Sequence, residues 1–308
     1  MQLQPDLISA LHKDLLRMGD TGEVARVNPV SGGCINQVVQ IESRQNSYLL
    51  KWNHRPLSGM FAAEAAGLHL LKTTKSIRVP EVLSIGENSG GINYILLEWI
   101  EPEQQKVRLD QALLGSQLAS LHRQLSPQGM FGLDHDNYIG SNRQFNGWKA
   151  DWIEFFRDKR LQPQIEMAVQ QGLVTGNRLT KLRYVANNLN IWLSSEKTIP
   201  SLVHGDLWAG NIISGTQCEP VLIDPAVYFG DREVDLAFTE LFGGFSVDFY
   251  KAYQETWPLE DSYPKRRDIY NLYHLLNHLN LFGSSYGYQI DSILERYTPK
   301  SSWPMIFE

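Results

Sequence analysis

The segment His204-Gly205-Asp206-Leu207-Trp208-Ala209-Gly210-Asn211, followed by Ile223-Asp224-Pro225-Ala226, constrains this chain more than any other. Asp206 and Asn211 have the separation found in a kinase catalytic loop, where the Asp meets an acceptor hydroxyl and the Asn holds metal. Asp224 follows the apolar run Val221-Leu222-Ile223, as a metal ligand at the end of a short strand does. A tight turn before a capped helix is the competing account, because His-Gly-Asp alone is common. The joint register of these polar positions favours phosphoryl transfer from ATP and Mg²⁺, with Asp206 as base and Asn211 and Asp224 as metal ligands.

The other parts of such a site are expected upstream. Ser47-Tyr48-Leu49-Leu50-Lys51-Trp52 alternates like a half-buried strand and delivers Lys51 near its end. Glu64 lies in the helix-forming stretch from Met60 to Leu68. A strand Lys paired with a helix Glu orients an ammonium toward the α- and β-phosphates. Taken singly, the two residues read as a snorkelling lysine and a solvated glutamate; the catalytic segment downstream reverses that reading.

Between two apolar runs, Ser31, Gly32 and Gly33 open a turn whose amides can approach phosphates without side-chain obstruction. No Gly-Lys-Ser/Thr follows, so this is no Walker A loop. Gly91 to Ile100 reads as a buried strand that runs out into Glu101-Pro102-Glu103-Gln104, a hinge whose Glu98, Trp99 and Ile100 are candidates for adenine contact. Cys34, among these amides and near Lys51, is a candidate redox thiol, with a monomer or a Cys34-linked dimer as the alternatives. Trp208 offers an aromatic face beside Asp206 for a sugar or a cationic amine, or else braces the loop from the core. Arg232 and Glu233 read equally as acceptor-site residues or as a surface salt bridge, and His204 and Asp235 as scaffolding of the loop.

Taken together, these segments resemble the fructosamine (ketosamine) 3-kinases, a branch of the aminoglycoside-phosphotransferase-like protein-kinase fold. The resemblance runs through SGGCIN at 31–36, LLKWN at 49–53, MFAAEAAGL at 60–68 and LLEWI at 96–100. It continues through FGLDHDNYIG at 131–140, FNGWKADWIEFF at 145–156 and DKRLQPQI at 158–165. IDPAVYFGDREVDLAFTELFGGF at 223–245 is its most specific stretch, and LYHLLNHLNLFG at 272–283 completes it. One departure stands out: Asp231 occupies a position where the family usually carries histidine. The resemblance implies phosphorylation of the third-carbon hydroxyl of a ketosamine, on a small molecule or on a glycated protein lysine. It further implies release of the amine as a repair step, with ribulosamines or erythrulosamines favoured over fructosamines. A kinase of the same fold for an aminoglycoside, choline or a thiosugar is the alternative, opposed by the 223–245 stretch. A silent ATP-binding scaffold would have lost Lys51, Asp206 or Asp224, and all are present.

With 308 residues, 43% of them hydrophobic and 20% charged, the chain can bury two cores. A net charge of −6 lacks the basic footprint of a nucleic-acid partner. Two cysteines, no run of membrane-spanning length and no signal-peptide pattern give the expectation of a cytoplasmic protein without a membrane partner. The pattern predicts an α+β bilobal protein-kinase-like fold: a nucleotide lobe over 1–100, a mainly helical catalytic and acceptor lobe over 101–308, and a hinge near 98–104. Predicted helices are 5–18, with Leu7, Ile8, Leu11, Leu15 and Leu16 on one face, then 111–124, 148–159, 178–194, 233–242 and 268–282.

Overall fold

The computed structural model describes residues 3–30, 36–53, 57–87, 92–102 and 109–299. Helix α1 (Pro5–Arg17) precedes strands β1 (Arg26–Pro29), β2 (Gln37–Glu42) and β3 (Ser47–Asn53). Helix α2 (Met60–Thr74), β4 (Val82–Glu87) and β5 (Asn93–Glu98) complete an antiparallel sheet of order β1-β2-β3-β5-β4. The period-two alternation of these strands assigns each face. Val39, Ile41, Tyr48, Leu50, Trp52, Tyr94 and Leu96 meet Leu7, Leu11 and Leu15 of α1, with Leu3 just before the helix. Ile95 and Leu97 face the other way, into the cluster that holds Phe61, Ala65, Leu68 and Leu71 of α2.

The apolar face of α1 is narrower than its sequence suggests. Leu7, Leu11 and Leu15 are buried, but Ile8 and Leu16 remain 41% and 51% exposed. Asp14 takes the remaining inward position, accepting hydrogen bonds from Ser84 Oγ (2.7 Å) and Tyr94 Oη (2.6 Å). A polar clamp therefore fixes the helix where a further aliphatic contact was expected.

Beyond the sheet, helix α3 (Gln111–His122) starts on Asp110, whose Oδ1 accepts from the Leu113 amide (2.8 Å). A short hairpin, β6 (Asn137–Ile139) with β7 (Asn142–Gln144), precedes α4 (Trp152–Phe156), a π-turn at Arg157–Leu161, α5 (Gln162–Gln170) and α6 (Gly176–Asn187). The helix expected from 148 begins only at Trp152, because Asp151 caps it through the Glu154 amide (2.8 Å). The stretch expected to run to 194 ends as a helix at Asn187.

Two small antiparallel pairs then carry the chemistry in their connections. β8 (Ser201–Val203) pairs with β11 (Tyr228–Gly230), and β9 (Ile212–Ser214) with β10 (Pro220–Leu222). Residues 204–211 link β8 to β9, and 223–227 link β10 to β11. Helices α7 (Glu233–Leu241), α8 (Val247–Thr256), α9 (Pro264–Phe282) and α10 (Gly287–Tyr297) pack beneath. Helix α9 is the central rod, burying ten side chains from Ile269 to Leu279. Each fully buried leucine there stabilises the lobe by roughly 1.5–3 kcal/mol. Among the described residues, no helix is long and apolar enough to cross a membrane.

Candidate active site

Backbone chemistry sets the catalytic loop before any substrate arrives. Gly205 adopts φ +81°, and a Cβ there would lie 2.1 Å from the Ala226 carbonyl oxygen, so only glycine fits. Asp235, in the first turn of α7, accepts from the His204 amide (2.7 Å) and the Gly205 amide (2.9 Å). His204 Nε2 donates to the Ile223 carbonyl (3.0 Å), and its Nδ1 accepts from the Asp206 amide (3.3 Å). Burial holds this imidazole below its usual pKa, so it stays neutral and acts as a spacer between the two catalytic segments. Asp206 is thereby held beside Asn211, whose Nδ2 donates to the Asp206 carbonyl (2.8 Å) and carboxylate (3.0 Å).

Burial raises the Asp206 carboxyl to about 7, with the Asn211 hydrogen bond opposing and the Asp224 and Asp235 charges adding to the rise. A carboxylate poised near neutrality is suited to proton transfer. Asp224 stands at φ +54°, in the left-handed region, where a non-glycine residue costs on the order of 1–3 kcal/mol. Such strain at a functional position aims its side chain into the cleft.

Lys51 joins the two lobes. It lies on the sheet face opposite Leu50 and Trp52, is 5% exposed, and donates to Glu64 Oε1 of α2 at 2.6 Å. Its second partner is Asp224 Oδ1. Burial alone would push the ammonium pKa down; the Asp224 and Glu64 carboxylates overcome it and hold Lys51 above its usual value.

Lys51, Glu64, Asp206, Trp208, Asn211 and Asp224 all line one cavity of about 490 Å³. Its other end was not foreseen from the sequence. Phe242 closes α7; His278, Leu281 and Phe282 lie on one face of α9; Tyr286 follows in the next turn. Ring centroids of Phe242, Phe282 and Tyr286 lie 5.1, 5.6 and 5.1 Å from that of His278. Asn277 also lines the cavity, and its Oδ1 accepts from Asn142 Nδ2 (2.9 Å) and Gln164 Nε2 (3.3 Å). Asn137 and Tyr138 contribute from the hairpin. The 131–140 and 272–283 motifs contained these residues, but side chains of an ordinary helix and hairpin carry no local mark of facing a cleft. Trp208 is 38% exposed in this cavity rather than a core brace. A Cβ at Gly210 would stand 2.3 Å from the Trp208 ring, so glycine is what lets the indole lie over the loop.

Several expected residues lie elsewhere. Arg232 and Glu233 are not in the cleft. Arg232 stacks 4.0 Å over the Trp257 ring and donates to the Trp257 carbonyl (2.8 Å), while Glu233 takes both Nε and Nη2 of Arg266 (2.7 and 2.6 Å). They line a second cavity, of about 400 Å³, behind the catalytic loop. Helical geometry explains the position of Glu233: 100° per residue puts positions 233 and 235 on opposite faces, and Asp235 is the one turned to the 204–211 loop. Asp231 accepts from Tyr270 Oη (2.5 Å) and the Glu233 amide (3.0 Å), making it a buried cap for α7. Glu98 is engaged by Arg78 Nη2 (2.7 Å), and its amide donates to the Glu81 carbonyl (2.8 Å). Glu98, Trp99 and Ile100 are not among the residues lining the cavity. Ser31, Gly32, Gly33 and Cys34, and Glu103 and Gln104 of the 98–104 hinge, lie outside the described residues.

A two-lobed fold with a Lys–Glu pair, an Asp–Asn catalytic loop and an Asp following a strand defines a phosphotransferase of the protein-kinase-like class. Solved aminoglycoside phosphotransferases share that fold alone: one superposes with a TM-score of 0.60 at 16% identity, covering 94% of this chain and all of the other. The profile of the fructosamine kinase family matches residues 8–300, and the chain belongs to that family. It is 42% identical over 272 residues to a protein named probable ketoamine kinase in Enterococcus faecium, covering 88% of this chain and 95% of the relative. It is 38% identical over 283 residues to the chloroplastic protein-ribulosamine 3-kinase of Arabidopsis thaliana, covering 92% and 86%. A crystal structure from Haemophilus somnus, assigned as a fructosamine-3-kinase, superposes with a TM-score of 0.84 at 31% identity over 94% and 97% of the two chains.

Proposed function

We propose that this ATP-dependent kinase phosphorylates the third-carbon hydroxyl of ketosamines, with ribulosamines as its preferred class. The observation that carries the reading is the single cavity joining Asp206 and the Lys51–Glu64–Asp224 set to an aromatic acceptor end. Asp206 accepts the hydroxyl proton as that oxygen bonds to the γ-phosphorus and ADP leaves. Lys51, fixed by Glu64, steadies the phosphate charge. Asp224 and the Asn211 amide oxygen are hard oxygen donors on the wall of this cavity, a donor set that fits Mg²⁺ shared with phosphates. The ion supplies charge neutralisation there. Trp99 and Ile100 remain the adenine candidates, through backbone groups. Phosphate on C3 lies next to the C2 carbonyl; once the product enolises toward C1, phosphate leaves from the allylic C3, and water hydrolyses the resulting C1 iminium to free the amine, a deglycating role suited to the cytoplasm. Acceptors include small ketosamines and glycated lysines.

The test is ATP-dependent phosphorylation of ribuloselysine and fructoselysine beside kanamycin and choline, with Asp206→Asn as the blank. Turnover confined to the two ketosamines and absent from the variant is the expected result. Turnover of kanamycin or choline alone would transfer the protein to another acceptor class.

A further inference from the structure

The aromatic end of the cavity has a feature that shape alone does not require. His278 Nδ1 lies 2.8 Å from the His274 carbonyl oxygen, which can only accept, so the ring proton sits on Nδ1. Its Nε2 then carries a lone pair and takes no partner among the described residues. Burial keeps the imidazole below its ordinary pKa, so no ring charge opposes a cation. Phe242 and Phe282 are 38% and 48% exposed although they belong to a tight ring cluster. Rings that only filled a core would not keep their faces open to water. Among the described lining residues, Lys51 is the one permanent cation, and it is already bound to Glu64 and Asp224. Glu64, Asp224 and, above about pH 7, Asp206 stand against that one ammonium, so the cavity lining carries no excess positive charge to repel a cation.

We infer that this end reads the substrate nitrogen as a protonated amine: the faces of Phe242, Phe282 and Tyr286 surround its charge while the His278 Nε2 lone pair accepts one ammonium N–H. The inference rests on the ketosamine reading above and names what that reading leaves open, the property of the amine that is selected. Aromatic faces attract a cation without a carboxylate, so nothing at this end competes with Asp206 and Asp224 for a metal ion. The same arrangement discriminates by what it lacks. A neutral isostere loses both the cation–π attraction and the N–H donor, leaving Nε2 unsatisfied in the closed complex. The amine substituent itself can vary widely, because the cavity reads its charge and one N–H.

The test compares two acceptors of equal size, the ribulose adduct of butylamine and the ether in which oxygen replaces that nitrogen. With the wild-type protein, kcat/KM for the amine should exceed that for the ether by roughly tenfold or more, with the gap carried in KM. His278→Phe and Phe282→Leu should each shrink that ratio. Equal kcat/KM for the two acceptors in the wild type overturns the inference and leaves ketosamine phosphorylation standing. So does a ratio unchanged in both variants. Wild-type protein that binds ATP yet phosphorylates neither compound overturns the ketosamine reading, and the inference with it.

Discussion

The two ends of the cleft are built on opposite principles. At the phosphate end, Lys51, Glu64, Asp206, Asn211 and Asp224 are locked by charge and hydrogen bonds to one another. At the acceptor end, Phe242, His278, Phe282 and Tyr286 touch only through ring faces and edges. Charged residues that must meet across lobes tolerate almost no substitution, because an unpaired buried charge costs several kcal/mol. Ring clusters tolerate many, because stacking and burial accept any aromatic of similar volume. On the proposed reading, the first end carries the reaction and the second sets what it acts on.

The largest expected effect tests the phosphate end. Asp206→Asn should lower kcat by about 10²- to 10⁴-fold with little change in the ATP KM, measured in steady-state assays. A fall confined to KM would remove Asp206 from proton transfer. Lys51→Met comes next. It strips the cation from Glu64 and Asp224, and should lower stability by about 3–5 kcal/mol in denaturant melts and raise the KM for ATP.

The pH profile addresses the same end from its electrostatics. A carboxyl raised to about 7 is protonated below that pH and cannot accept the hydroxyl proton. kcat/KM should then fall about tenfold per unit on the acid side of 7 and level off above it. A profile flat from pH 5 to 8 would contradict the assignment.

Smaller effects belong to the acceptor end. Gly210→Ala should displace the Trp208 ring and raise the acceptor KM several-fold, on the order of 1 kcal/mol, while the ATP KM holds. Equal shifts in both constants would show that Trp208 serves the whole loop. Arg232→Ala, outside the cleft, should lower stability by about 1–3 kcal/mol through loss of its Trp257 stacking and carbonyl contacts, measured in denaturant melts. It should leave the acceptor KM unchanged; a shift there would return Arg232 to the substrate site.

How much was readable in advance follows the same division. Asp206, Asn211 and Asp224 were visible because backbone connections between short strands fix their spacing. Lys51 was visible through strand alternation and Glu64 through helix propensity, two local signals that needed only the catalytic segment to interpret them. Arg232 and Glu233 were misplaced because sequence neighbourhood stood in for direction, and about half a helical turn separates the face of Glu233 from that of Asp235. The α1 stripe was drawn too wide for the same reason: which of two flanking aliphatics is buried depends on the sheet it meets.

The sequence by itself determined the reaction class, the family, and the spacing of the residues proposed to handle phosphate. Those features reside in short spacings that covalent geometry carries intact into any fold of the chain. Only the tertiary structure decided the acceptor end, the left-handed backbone at Asp224 and the tautomer of His278. The tautomer follows from the His274 carbonyl one turn back in α9, but the others depend on groups far apart in the chain, such as Phe242 against His278 and Glu64 against Lys51 against Asp224, brought together by the packing of helices on the sheet. Side chains of that kind show their direction only when the whole core has closed around them.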